Sequence, residues 1–131
     1  MDALHPFGLG QTTPPVGPFN TVSQVFFSSD ESVLFTDVKG NPPANNTGFI
    51  SAFPVNPTSP CGGAISSLSM TETRSSPAGT AVLFGSAAIP GSTSLFVTDA
   101  SFGAAVLAVD SSIKRCARDP GFCSFGGGLA L

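Results

Sequence analysis

The sequence predicts an all-β chain of short strands and turns. Glycine and proline together make up about a fifth of it, 15 and 12 of 131 residues, and both break helices. Yet 41% of the residues are hydrophobic, so there is apolar surface to bury and a disordered chain is a poor fit. The Val, Leu, Ile and Phe residues fall in short runs bounded by polar, Gly or Pro stretches, which is the pattern of strands. The length suits one domain of ordinary size.

No periodic element shows before Val22. Gln11-Thr-Thr-Pro-Pro-Val-Gly-Pro18 is Pro-rich and reads as an extended crossing segment. Val22–Phe27 reads as a first strand, Ser28–Glu31 as a polar turn, and Ser32–Val38 as a second strand. Lys39–Thr47 is a loop by composition. Gly48–Phe53 is a third strand, expected to stop at Pro54. Asn56–Gly63 is loop again, and Ala64–Met70 an edge-like fourth strand, ended by the polar stretch through Pro77.

The pattern then starts over. Thr80–Gly85 and Ser94–Asp99 read as strands, separated by Ala88–Ser92 with Pro-Gly inside. Ala100–Gly103 is a short turn. Ala104–Val109 carries three Ala and has some helical propensity. Its length, its Gly boundary and its place in the pattern favour strand. Leu34-Phe-Thr-Asp37 and Phe96-Val-Thr-Asp99 close matching strands with Thr-Asp, 62 residues apart. Propeller blades repeat every ~40–50 residues, so the first unit carries an insertion. Tandem four-stranded antiparallel sheets are the reading: residues 22–110 as two blades of a partial β-propeller, 1–21 as an irregular Pro-rich lead, and 111–131 as an atypical Cys/Gly-rich tail.

Composition narrows the partners. The net charge is −3 with only 10% charged residues, and five Lys and Arg make no polyanion-binding surface, so nucleic acid is excluded as an expectation. Each apolar run is under about ten residues, whereas a spanning helix needs ~20, so no membrane association is expected. The 12 Phe residues come with no Trp or Tyr, which favours core packing over sugar or base stacking. The surface is therefore rich in Ser, Thr, Asn and Gly, a character common in secreted proteins. Met1–Pro6 lacks the basic and apolar pattern of a signal peptide. Cys116 and Cys123 lie across a Pro-Gly turn and can pair in an oxidising compartment, leaving Cys61 alone; free thiols fit equally well. Zinc fits the cysteine spacing poorly, and neither metal nor cofactor is expected.

Three segments carry a family likeness. Gln11–Pro18, Asn20–Phe27 and Thr36–Asn41 resemble fungal secreted β-propellers described as 3-carboxymuconate cyclase-like, and Phe84–Gly91 through Asp99 is similar to the same family. The resemblance covers roughly residues 6–110. It implies a seven-bladed propeller related to lactonases, an extracellular location, and several hundred residues after a signal peptide. About two blades are present here, and the tail from Ile113 to Gly128 does not resemble a blade. A non-catalytic fragment is the expectation. The alternative is a lactonase or cycloisomerase acting on a carboxylated lactone; any small-molecule ligand is otherwise unidentified.

Lactone chemistry needs a base or metal-bound water and an oxyanion stabiliser. The candidates are Asp37, Lys39 and Asp99. The structural alternatives are stronger for each: the two Asp residues as acceptors for turn N–H groups, and Lys39 as a solvated loop residue with Gly40 supplying a positive φ. His5, the single histidine, reads as exposed in an irregular segment. Asp30-Glu31 reads as a solvated turn, and Gly126–Gly128 is no phosphate loop. Asn45-Asn-Thr47 is a glycosylation sequon in a loop. An incomplete propeller leaves open sheet edges, so self-association through those edges is expected.

Overall fold

The structure, a computed structural model, describes residues 5–56, 66–110 and 129–130. All regular structure among them is β apart from a 3-10 turn at Pro42–Ala44. Two antiparallel meanders follow each other along the chain. In the first, β1 (Val22–Phe27), β2 (Val33–Val38) and β3 (Phe49–Asn56) pair in order. Beyond β3 lie β4 (Ser67–Leu68) and β5 (Thr73–Ser75), both paired to it. They form one broken fourth strand. The second meander is β6 (Leu83–Ala88), β7 (Ser94–Asp99), β8 (Gly103–Val109) and β9 (Leu129–Ala130). The chain is thus all-β, with two four-stranded antiparallel blades in a partial propeller arrangement.

Several expected boundaries move, each for a local reason. The third strand runs through Pro54 to Asn56. Ser32 accepts from the Val55 N–H, which makes the neighbouring Val33–Pro54 pair a non-hydrogen-bonded one. The proline nitrogen therefore points away from β2, towards the break between β4 and β5, where a missing donor costs little. The fourth strand extends beyond the expected edge into the polar stretch, because Thr73–Ser75 pair with Ile50–Ala52. β6 starts three residues later than Thr80, because the Ala81 and Val82 N–H groups are taken by the Asp99 carboxylate. β9 lies just past Ile113–Gly128, the stretch read as unlike a blade, which is outside the described residues.

The blades pack face to face. Val33, Phe35, Ile50 and Ala52 of the first meet Leu83, Leu95, Val97, Leu107 and Val109 of the second in one core. Phe26 stacks on Phe35 at 5.4 Å. Apolar burial of this kind stabilises by about 1.5–3 kcal/mol per large side chain.

The repeat is real, with an offset of 61 rather than 62 residues. The Lys39 N–H donates to the Thr21 carbonyl as Ala100 donates to Val82; Ser28 donates to Val33 as Ile89 does to Ser94; Glu31 donates to Ser28 as Ser92 does to Ile89. The register slips at Ser23 in the first blade and at Phe84 in the second, again 61 apart. In the second half of each blade the offset drops to 54, because the loop from β2 to β3 is seven residues longer than that from β7 to β8. Asp99 is therefore equivalent to Val38, and Asp37 to Thr98. Successive strand residues face opposite sides, so the surface of blade 1 that packs on blade 2 corresponds to the outward surface of blade 2.

Candidate functional site

Polar side chains line the seam where β1 meets β6. The Gln24 amide donates from Nε2 to the Ser86 carbonyl at 2.8 Å and accepts from the Ser86 N–H at 2.7 Å. It satisfies the free edge of β6 as a neighbouring strand would, which protects that edge from other chains. Ser23 Oγ donates to the Leu83 carbonyl at 2.7 Å and lies 3.2 Å from the Asp37 carbonyl.

Asp37 sits beside Gln24 and Ile50 in this seam and is fully buried. Neither carboxyl oxygen has a hydrogen-bond partner. The Ser86 hydroxyl, also buried, comes close enough to pull the carboxyl pKa down somewhat without reaching hydrogen-bond geometry. Burial dominates and pushes the pKa up to about 6. The equivalent residue in the second blade, Thr98, closes its bulge instead: its hydroxyl accepts from the Gly85 N–H and donates to the Gly85 carbonyl, at 3.1 and 2.9 Å.

Asp99 has a different task. Oδ2 accepts from the Ala81 and Val82 N–H groups at 2.8 Å each, and Oδ1 from the Ser101 N–H at 2.8 Å and the Ser101 hydroxyl at 2.5 Å. Burial alone would raise its pKa, but these donors outweigh burial and hold it below the ordinary range. Lys39 places Nζ 4.4 Å from the centre of the Phe84 ring, a cation–π contact that ties the long loop to the second blade. The structure therefore gives Asp37, Lys39 and Asp99 three different local settings, and none of them lines the apolar groove on the outward face of blade 1.

Gly40 has no positive φ. It is glycine because a Cβ there would come within 2.5 Å of the Asn46 and Ala81 carbonyl oxygens and the Gly48 nitrogen. Its N–H donates to Ala81, joining the long loop to the second blade. Asn45 and Thr47 are exposed at the tip of that loop, with Asn45 in the left-handed region at φ 55°. Asp30 is more than solvated: it accepts from the Ser28 and Ser32 hydroxyls at 2.7 and 2.8 Å and shapes the turn. Cys61, Cys116, Cys123 and Gly126–Gly128 lie outside the described residues.

His5 is not exposed. Its ring packs edge-on against Phe7 and Phe53, and Nε2 lies 3.2 Å from Glu72 Oε1. Glu72 also accepts from Ser51 Oγ and, at 2.6 Å, from Arg74 Nε. Burial would raise the Glu72 pKa, but Ser51, His5 and Arg74 together hold it down. Arg74 lies over the Phe49 ring at 4.4 Å. This cluster straps the N-terminal segment across the outward face of blade 1. Sequence reasoning missed it; the signal was the polar Thr71–Ser75 run, taken as a strand end.

Beside the strap runs an apolar groove of about 690 Å³, walled by Val22, Val25, Leu34, Phe53, Leu68 and Met70 among others. No acid lines it. No group of three or more His, Cys, Asp or Glu suited to a metal occurs among the described residues. Nor, among them, is any helix long and apolar enough to cross a membrane. Compared with family models, curated proteins and solved structures, the chain matches none.

Proposed function

We propose that this chain is a non-catalytic pair of blades from a secreted β-propeller of the carboxymuconate cyclase-like kind. One observation carries the reading: Asp99 is spent on capping turn N–H groups, Lys39 on a contact with Phe84, Asp37 is fully buried in the seam, and none of the three lines the apolar groove beside the strap. Secretion draws support from the weakly charged surface and from the exposed sequon at Asn45. The alternative, a lactonase or cycloisomerase, draws on a single feature. A carboxyl whose pKa is about 6 is suited to a general base near neutral pH. Against it, that carboxyl is sealed between two sheets and no substrate reaches it.

The test is to incubate the chain with a muconolactone and follow ultraviolet absorbance. No turnover above buffer is expected. Turnover that disappears in Asp37→Asn while the circular dichroism spectrum is retained would overturn the proposal.

A further inference from the structure

The second blade exposes an apolar sheet face. Phe96 and Val106 pair directly across β7 and β8, and both are about half exposed, at 44% and 53%. Ala104 and Ala108 extend the same exposed face. The internal repeat says what such a face is for. By the 61- and 54-residue offsets, Phe96 is the counterpart of Phe35 and Val106 of Ala52, two residues fully buried between the blades. The outward face of blade 2 is thus built like the surface of blade 1 that receives a blade.

The complementary surface is also in this chain. Leu34, Thr36 and Phe53 on the outward face of blade 1 are the counterparts of Leu95, Val97 and Leu107, which form the other half of the blade interface. The N-terminal strap covers Phe53, but the groove beside it stays open, and Val25 on its wall is 53% exposed. Both halves of one interface are therefore present, and they sit on opposite outer faces.

We propose that a second copy of this chain occupies these faces, head to tail: the Phe96–Val106 face of one copy seats in the Val25–Leu34 groove of the next. The contact repeats the packing already made between the two blades. It is a heterologous contact, which closes into a ring when the rotation allows. Propellers close at about 4–8 blades, so a closed ring would hold roughly two to four copies. This inference rests on the blade reading above. Assembly reports on packing and turnover on chemistry, so either can fail alone.

The experiment is sedimentation velocity on the purified full chain at tens of micromolar, with Phe96→Glu and Val25→Glu. Both positions are exposed within the chain, so each variant should keep the wild-type circular dichroism spectrum. The wild type is expected to sediment as an assembly, and each variant alone as a monomer. An equimolar mixture should return a dimer, because one copy keeps an intact face and the other an intact groove. Val106→Glu with Leu68→Glu is a second pair on the same two surfaces, should either first variant fail to fold. A monomeric wild type overturns the proposal. So does a variant that assembles as the wild type does, or a mixture of folded variants that stays monomeric.

Discussion

Replacing Asp37 by Asn should stabilise the protein more the higher the pH. In the folded chain the carboxyl titrates at about 6, against 3.8 for an ordinary Asp. The folded state thus holds its proton more tightly than the unfolded state does. The stability linked to that proton is fully present below about pH 4 and is lost as pH rises through about 6. Each pKa unit corresponds to about 1.4 kcal/mol, so at pH 7.5 the buried charge costs about 3 kcal/mol, and at pH 4.5 about 1 kcal/mol. An Asn side chain carries its own burial cost, but that cost does not change with pH. Subtracting the effect at pH 4.5 from the effect at pH 7.5 therefore isolates the carboxyl, and about 2 kcal/mol is expected. Urea unfolding of both proteins at the two pH values measures it directly. An Asp37→Asn effect equal at both pH values would refute the reasoning, because the carboxyl would then titrate normally and could not be sealed in the seam.

Asp99 carries the opposite sign. Asp99→Ala removes the acceptor for the Ala81, Val82 and Ser101 N–H groups, and should cost about 2–4 kcal/mol in urea unfolding at pH 7. Its pKa is depressed, so the stability it contributes is present above the ordinary Asp range, and the cost should shrink as pH falls through its lowered pKa. Gly40→Ala should cost about 2 kcal/mol or more, since its Cβ meets only backbone atoms at 2.4–2.5 Å. Gly91→Ala has open space and only its φ of 72° against it, so about 1 kcal/mol is expected from thermal melts of the same pair. Expressed through a secretory pathway, the chain should carry one glycan at Asn45, seen as a mass shift removed by an endoglycosidase and absent in Asn45→Gln.

The strands were legible where short runs of β-branched and aromatic residues are bounded by turn residues. Val22–Phe27 and Ser94–Asp99 are found as read, and Val33–Val38 differs by one residue. The boundaries that failed are those decided by partners distant in sequence. Nothing near Thr80 shows that Asp99, 18 residues beyond Ala81, will take the Ala81 and Val82 N–H groups. Likewise, nothing around Pro54 shows that its nitrogen will face a break in the neighbouring strand. His5 belongs to the same class. Its burial depends on Phe53 and Glu72, which the fold brings to it from well down the chain. Gly40 was picked out for its place in the loop, but the reason for the glycine is a backbone contact to Ala81, which only the tertiary structure reveals.

The candidate site shows a subtler limit. Thr36-Asp37 and Thr98-Asp99 match in sequence, and the match suggested one device used twice. The hydrogen-bond pattern aligns the blades one residue out of step with that match. In a β-strand a one-residue slip exchanges the two faces. Blades packed in series also meet through opposite faces, so the two slips cancel, and both aspartates end up buried near the blade interface. Their positions within the repeat are nonetheless different. Asp99 stands where the chain offers three backbone donors. Asp37 stands where the second blade has Thr98, and a carboxylate finds no donors there. The same dipeptide is thus a stabilising cap in one blade and an electrostatic cost in the other. The cost has a consequence that the cap lacks. If Asp37 loses its proton near pH 6, it weakens the contact between the blades, whereas Asp99 keeps the second blade's own turns intact. Above neutral pH the seam should therefore loosen before either sheet does, and amide exchange should quicken first at Ser86, whose N–H is held by Gln24 across that seam.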